Sequence, residues 1–137
     1  MSRRILIAAL FMLGLLYGAS AQTAAGDVFA GHWRQVASNA GQCKTCSLTV
    51  SRRDTTYRVV ASNGWSAKVK QLASRAIETY VGGGRWERSP PRIDPKRLLT
   101  TYFVVKDERL HLTLLLTRPD GSQWRIEAVF ERELPVA

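Results

Sequence analysis

The chain has 137 residues, 45% of them hydrophobic, and carries 20 basic against 11 acidic side chains for a net charge of +9. That length encloses a single hydrophobic core and is one domain's worth of sequence. The positive balance favours anionic partners, such as envelope glycolipids, acidic polymers or acidic proteins. Nucleic acid is set aside because no recognisable binding motif accompanies the charge.

The first 21 residues read as a secretory signal peptide. Arg3 and Arg4 form a positive head, Ile5 to Tyr17 an apolar run, and Ala19-Ser20-Ala21 a small-x-small cleavage site before Gln22. The apolar run is shorter than the roughly 20 residues that a membrane span needs, so no stable span is expected after cleavage. The expected compartment is the periplasm or the extracellular space. The remaining 116 residues carry 18 basic and 11 acidic side chains, a net +7. Residues 22–28 are expected to be a short tail, and residues 29–134 one β-domain.

The first expected strand is Phe29–Ala37. Behind it lie the only two cysteines, in Cys43-Lys44-Thr45-Cys46. Export favours a disulfide between them. A redox pair belongs at a helix N-terminus, whereas Ser47-Leu48-Thr49-Val50 reads as a strand; half a zinc site lacks further ligands, with only His32 and His111 at hand. Residues three apart in a strand lie about 10 Å apart, farther than a bridge reaches, so the disulfide requires a turn over 42–46. Closing so short a loop is worth roughly 2 kcal/mol.

Short strands are expected at Ser47–Arg52, Tyr57–Ala61 and Trp65–Leu72, joined through Arg53-Asp54-Thr55-Thr56 and Ser62-Asn63-Gly64. Residues 66–76 can be read as strand or helix; the alternation of Ala67, Val69 and Gln71 with Lys68 and Lys70 tips the first half to strand. Ala76–Val81 is the next expected strand. Residues 82–97 read as a long connector, Gly-rich at its start and Pro-rich beyond, with five basic and two acidic residues. Long connectors in compact domains are often functional, and Trp with Arg is enriched at interface hot spots. Arg85, Trp86, Arg88 and Arg92 are therefore the expected contact residues for a partner protein or anionic envelope component. The alternative is a solvated connector whose Trp86 tucks against the end of the domain.

Leu98–Lys106 and Leu110–Leu116 follow, the latter with leucine at every second position. Arg118-Pro119-Asp120-Gly121-Ser122 then supplies a hairpin turn into Trp124–Glu131. Eight sequential strands predict an all-β, antiparallel up-and-down barrel, with a compact β-sandwich as the alternative. Leu110, Leu112, Leu114, Ile126, Phe130, Val59, Val69 and Phe103 are expected to face inward. They can line a cavity or pack solid, and the small size of the domain favours solid packing.

Phe29-Ala30-Gly31-His32-Trp33-Arg34-Gln35-Val36 resembles the Gly-x-Trp opening strand of the calycin barrels, the lipocalins and avidins. Lipocalins also carry an arginine near the end of the last barrel strand, packed across that tryptophan; Arg132 is the matching residue. The resemblance implies a closed barrel in which Trp33 meets Arg132, and a possible small apolar ligand inside it. The residues themselves show no nucleophile–base arrangement, metal-ligand set or phosphate-cradling loop. No cofactor and no enzymatic activity are expected. The reading is an exported interaction or inhibitor-type module, with a lipocalin-like carrier of a small apolar or amphiphilic molecule as the alternative.

Overall fold

The computed structural model describes residues 27–73, 77–88 and 97–134. The segments read as signal peptide and tail lie outside these residues, apart from Asp27 and Val28. Eight strands and no helix are found among the described residues: β1 (Gly31–Ser38), β2 (Ser47–Arg53), β3 (Thr56–Ala61), β4 (Trp65–Gln71), β5 (Glu78–Trp86), β6 (Leu98–Lys106), β7 (Arg109–Thr117) and β8 (Gln123–Arg132). Each pairs antiparallel with its neighbour in sequence, and β8 returns to β1 to close a barrel. Closure leaves no sheet edge exposed.

Period-two alternation decides which side chains enter the barrel. Leu110, Leu112, Leu114 and Leu116 on β7 are all buried, as are Val59, Val69, Phe103 and Phe130, while Ile126 is half-buried. On the outer face of β8, Arg125 pairs with Glu127 at 2.7 Å, and Glu131 with Arg109 of β7 at 3.2 Å. Trp124 begins the inward series of β8 but sits at the rim, 42% exposed, with the Arg118 guanidinium 5.9 Å from its ring.

Two strand assignments change. Phe29 and Ala30 precede β1, and Phe29 is a plug, as described below. The glycine run belongs to strand β5, not to a connector. Gly82, Gly83 and Gly84 pair with Val69, Lys68 and Ala67 on one side and with Thr101, Thr100 and Leu99 on the other. A Cβ on Gly82 would collide with the Lys68 carbonyl oxygen and lie 2.7 Å from Val69 Cα; one on Gly84 would collide with the Ser66 carbonyl and lie 2.9 Å from Ala67 Cα. The backbones of β4 and β5 press together too closely for any inward side chain, as where a small barrel bends sharply. Thr101, fully buried and polar, takes its place beside them by donating to the Gly82 carbonyl at 3.1 Å.

The β1–β8 seam contains a bulge. Gln35 pairs with Phe130 and Ala37 with Val129, leaving Val36 as the extra residue, 45% exposed. Past the end of β1, Asn39 continues the seam: its side-chain Oδ1 accepts from Glu127 N at 2.9 Å, and its backbone N donates to Glu127 O at 3.0 Å.

Candidate functional site

The two ends of the barrel differ. At one end the chain before β1 folds inward, and Phe29 is completely buried. Its ring stacks on Tyr80 at 4.0 Å and meets Tyr57 at 5.1 Å and Phe103 at 5.3 Å. The short approach to β1 is held by Asp27, whose Oδ1 accepts from Phe29 N and Ala30 N, each at 3.0 Å, while Oδ2 accepts from the Tyr57 hydroxyl at 2.7 Å. Burial raises the Asp27 pKa. The Tyr57 hydroxyl, the Ala30 and Phe29 amides and Arg52 together outweigh that effect and hold the carboxyl below its ordinary 3.8. Burial and the Asp27 carboxylate push the Tyr57 phenol up. Tyr80 is also shifted up, by burial first and then by Glu78, whose carboxylate accepts from its hydroxyl at 3.1 Å.

Trp33 and Arg132 meet at this plugged end. They are paired in register across the seam, and the guanidinium carbon lies 4.3 Å from the indole centroid. The same guanidinium donates from Nη1 to Ala30 O at 2.7 Å and from Nη2 to Val28 O at 2.6 Å, while Trp33 Nε1 donates to Phe29 O at 2.9 Å. Gly31 lies beneath it at φ 135°, a backbone conformation that side-chain-bearing residues rarely adopt, and a Cβ there would lie 2.6 Å from Arg132 Nη1. The glycine of Gly-x-Trp thus makes room for the arginine of the last strand.

The other end holds a cavity of about 170 Å³. Leu48, Trp65, Trp86, Leu112, Leu114, Ile126, Ala128 and Phe130 supply its apolar lining, and Gln35, Ser38 and Asn63 its polar lining. The interior is therefore not packed solid along its whole length. The β1–β2 loop runs along the cavity through Ala40, Gly41, Gln42, Cys43 and Cys46. Cys43 and Cys46 are joined by a disulfide with their Cα atoms 5.4 Å apart, across a turn at Lys44–Thr45. That loop is tied down at its far side, where Cys46 O accepts from Gln35 N at 2.9 Å and Thr45 O from Ser62 Oγ at 3.3 Å.

Of the expected contact residues, Trp86 does not share a surface with Arg85. Arg85 and Trp86 are successive residues of β5, so they face opposite sides of the wall: Arg85 is exposed and Trp86 is 6% exposed, inside the barrel end. Trp86 offers no aromatic face to a partner. Arg88 lies two residues beyond the strand, with its amide donating to Gly64 O at 3.1 Å, and Arg92 is outside the described residues. Trp86 Nε1 is buried without a hydrogen-bond partner among the described residues, a state that costs on the order of 1–3 kcal/mol.

His32 Nδ1 lies 3.2 Å from Thr49 Oγ1 on the outer face, and His111 is exposed on β7. Trp65 and Trp86 are register partners across β4 and β5; Trp65, with Leu48 and Ala128, is a cavity residue absent from the expected inward-facing set. The period-two count from Ala67 back to Trp65 carried the only signal for Trp65. None of the known families, curated proteins or solved structures compared with this chain matches it.

Proposed function

We propose that this protein is an exported carrier that holds a small, mainly apolar molecule in the open half of its barrel. The cavity under the disulfide loop carries the reading. An apolar cavity of about 150 Å³ suffices for benzene, so about 170 Å³ suits one ring or a short branched chain. Two tryptophans and a phenylalanine give that ligand flat walls, and Gln35, Ser38 and Asn63 offer hydrogen bonds to a polar substituent. The plugged end supports the same reading, because a calyx needs one closed end. The contact between Trp33 and Arg132 supports the resemblance to calycin barrels. Burial of Trp86 removes the aromatic from the surface patch on which a protein-interaction role was based.

The test is thermal unfolding of the wild type and of Ala128→Leu with rising concentrations of benzene. A ligand that binds only the native state raises the melting temperature by mass action. The expected result is a saturable rise in the wild type and none in the filled variant. No rise in either protein, or an equal rise in both, would refute the carrier reading.

A further inference from the structure

The outer wall of β3, β4 and β5 is strongly basic. Alternation turns Arg58 of β3, Lys68 and Lys70 of β4 and Arg85 of β5 to solvent, and Arg53 ends the neighbouring β2. Arg58 stands directly opposite Lys68 in register, and Lys70 opposite Thr56, which also faces Arg53. Like charges directly across a strand pair cost stability, so the fold itself gains nothing from this arrangement. Among the described residues, Glu87 is the one carboxylate lining the groove on this face. It lies 3.9 Å from Arg58 and already accepts from Ser66 Oγ at 2.8 Å.

The wall dips where β5 has no side chain. A Cβ on Gly83 would meet nothing nearer than the Leu99 carbonyl at 3.8 Å, and the bare backbone floors a groove of about 750 Å³ between Arg58, Lys68 and Arg85. Apolar side chains stand in the same rows as the cations. Leu98, 77% exposed, is the register partner of Arg85; Tyr102, 39% exposed, partners Val81, which partners Lys70.

We propose that this face docks on an anionic lipid surface. Headgroup phosphates sit in the groove among Arg58, Lys68 and Arg85, and Leu98 enters the acyl boundary. A soluble polyanion would satisfy the cations but leave Leu98 and Tyr102 in water, whereas interfacial binding uses apolar insertion and electrostatic attraction together. The inference does not depend on the cavity or its ligand.

The test is co-sedimentation of the secreted chain, residues 22–137, which contains the whole closed barrel. Vesicles of phosphatidylcholine with phosphatidylglycerol are compared with phosphatidylcholine alone. Each basic residue at an anionic bilayer strengthens binding about fivefold, so Lys68→Glu, which reverses one charge, is expected to weaken it about 30-fold. That substitution also places opposite charges across the Arg58 pair, so its melting temperature is held or raised, separating lost binding from lost folding. The same reversal at Lys106, exposed at the far end of β6, is expected to have a smaller effect. Leu98→Ser is expected to weaken vesicle binding while leaving binding to soluble polyphosphate unchanged. Equal binding to both vesicle types, or an unaltered Lys68→Glu, overturns the proposal. So does polyphosphate binding that depends on Lys68 without any vesicle binding, which would point to a soluble polyanion.

Discussion

Replacing Arg132 with alanine should loosen the plugged end of the barrel. The substitution removes two hydrogen bonds, to Ala30 O at 2.7 Å and Val28 O at 2.6 Å, and a cation held 4.3 Å from the Trp33 centroid. Arg132 is exposed, so water can replace part of what is lost and values below those of buried, charged contacts apply. Two hydrogen bonds at about 1 kcal/mol each and about 1 kcal/mol for the cation–π contact give a loss of about 3 kcal/mol. For a domain of this size 1 kcal/mol shifts the melting temperature by about 4 °C, so the expected fall is about 12 °C. Circular dichroism melts of wild type, Arg132→Ala and Arg132→Lys measure it. Lysine keeps the charge but not the two-pronged donor geometry, and is expected to recover about half of the loss on the same hydrogen-bond scale. Arg125→Ala, which breaks only the exposed pair with Glu127, should cost about 0–1 kcal/mol. A fall of less than about 4 °C for Arg132→Ala, the equivalent of about 1 kcal/mol, would refute the clamp; so would full recovery by lysine.

The three glycines of β5 should respond by alternation. Gly82→Ala and Gly84→Ala place a methyl against the backbone of β4 and are expected to cost about 3 kcal/mol or more, within the range of severe overpacking. Gly83→Ala, whose methyl would make only an ordinary contact with the Leu99 carbonyl at 3.8 Å, should be neutral or stabilising by up to about 1 kcal/mol; urea unfolding distinguishes the pattern. Equal costs at all three positions would mean that the close approach of β4 and β5 is not what requires glycine. At the plugged end, Asp27→Asn should cost about 1–2 kcal/mol at neutral pH through loss of a charged acceptor. The folded carboxyl titrates below its ordinary 3.8, so its contribution is complete above that value and is lost as pH falls through the folded pKa. Melting of the two proteins across this acid range should show the gap closing downward. A gap independent of pH would remove the charge from the explanation.

The strands that read clearly in the sequence are those whose inward positions carry large side chains. On β7 every inward residue is leucine, and on β8 Ile126, Ala128 and Phe130 keep the same beat, so pattern and fold agree. β5 was legible only as far as Val81. Beyond it the first two inward positions are Gly82 and Gly84, which have no side chain to alternate before Trp86, and local composition reads as a loop although the neighbouring backbone requires those glycines. That misreading placed Trp86 in a connector, where a partner contact and a tuck against the barrel end stood as alternatives; the structure has it tucked in, as part of the strand. The seam was legible through the resemblance to calycin barrels, which implies that the opening-strand tryptophan, Trp33, meets an arginine near the end of the last strand, Arg132. The plug was not: Phe29 sits one residue pair ahead of β1, in phase with its inward face, and nothing local distinguishes a strand's first residue from a ring folded back over the barrel end. Whether the interior packs solid depends on the summed volumes of residues from eight strands, which no single window of sequence contains.

The seam also sets an order of events. Seven of the barrel's pairings join strands adjacent in the chain, and one joins the first to the last. Arg132 reaches back 102 positions to Ala30. As the chain is made or threaded through a pore from its N-terminus, hairpins can form one after another, but β1 waits with an unpaired edge until β8 emerges. The slow step of folding should therefore be ring closure, with its large loop-entropy cost. Until then the waiting edge is open to pairing with other chains. A chain cut short before β8 would have neither partner nor clamp for its first strand, and the aromatic plug would have no finished rim to close.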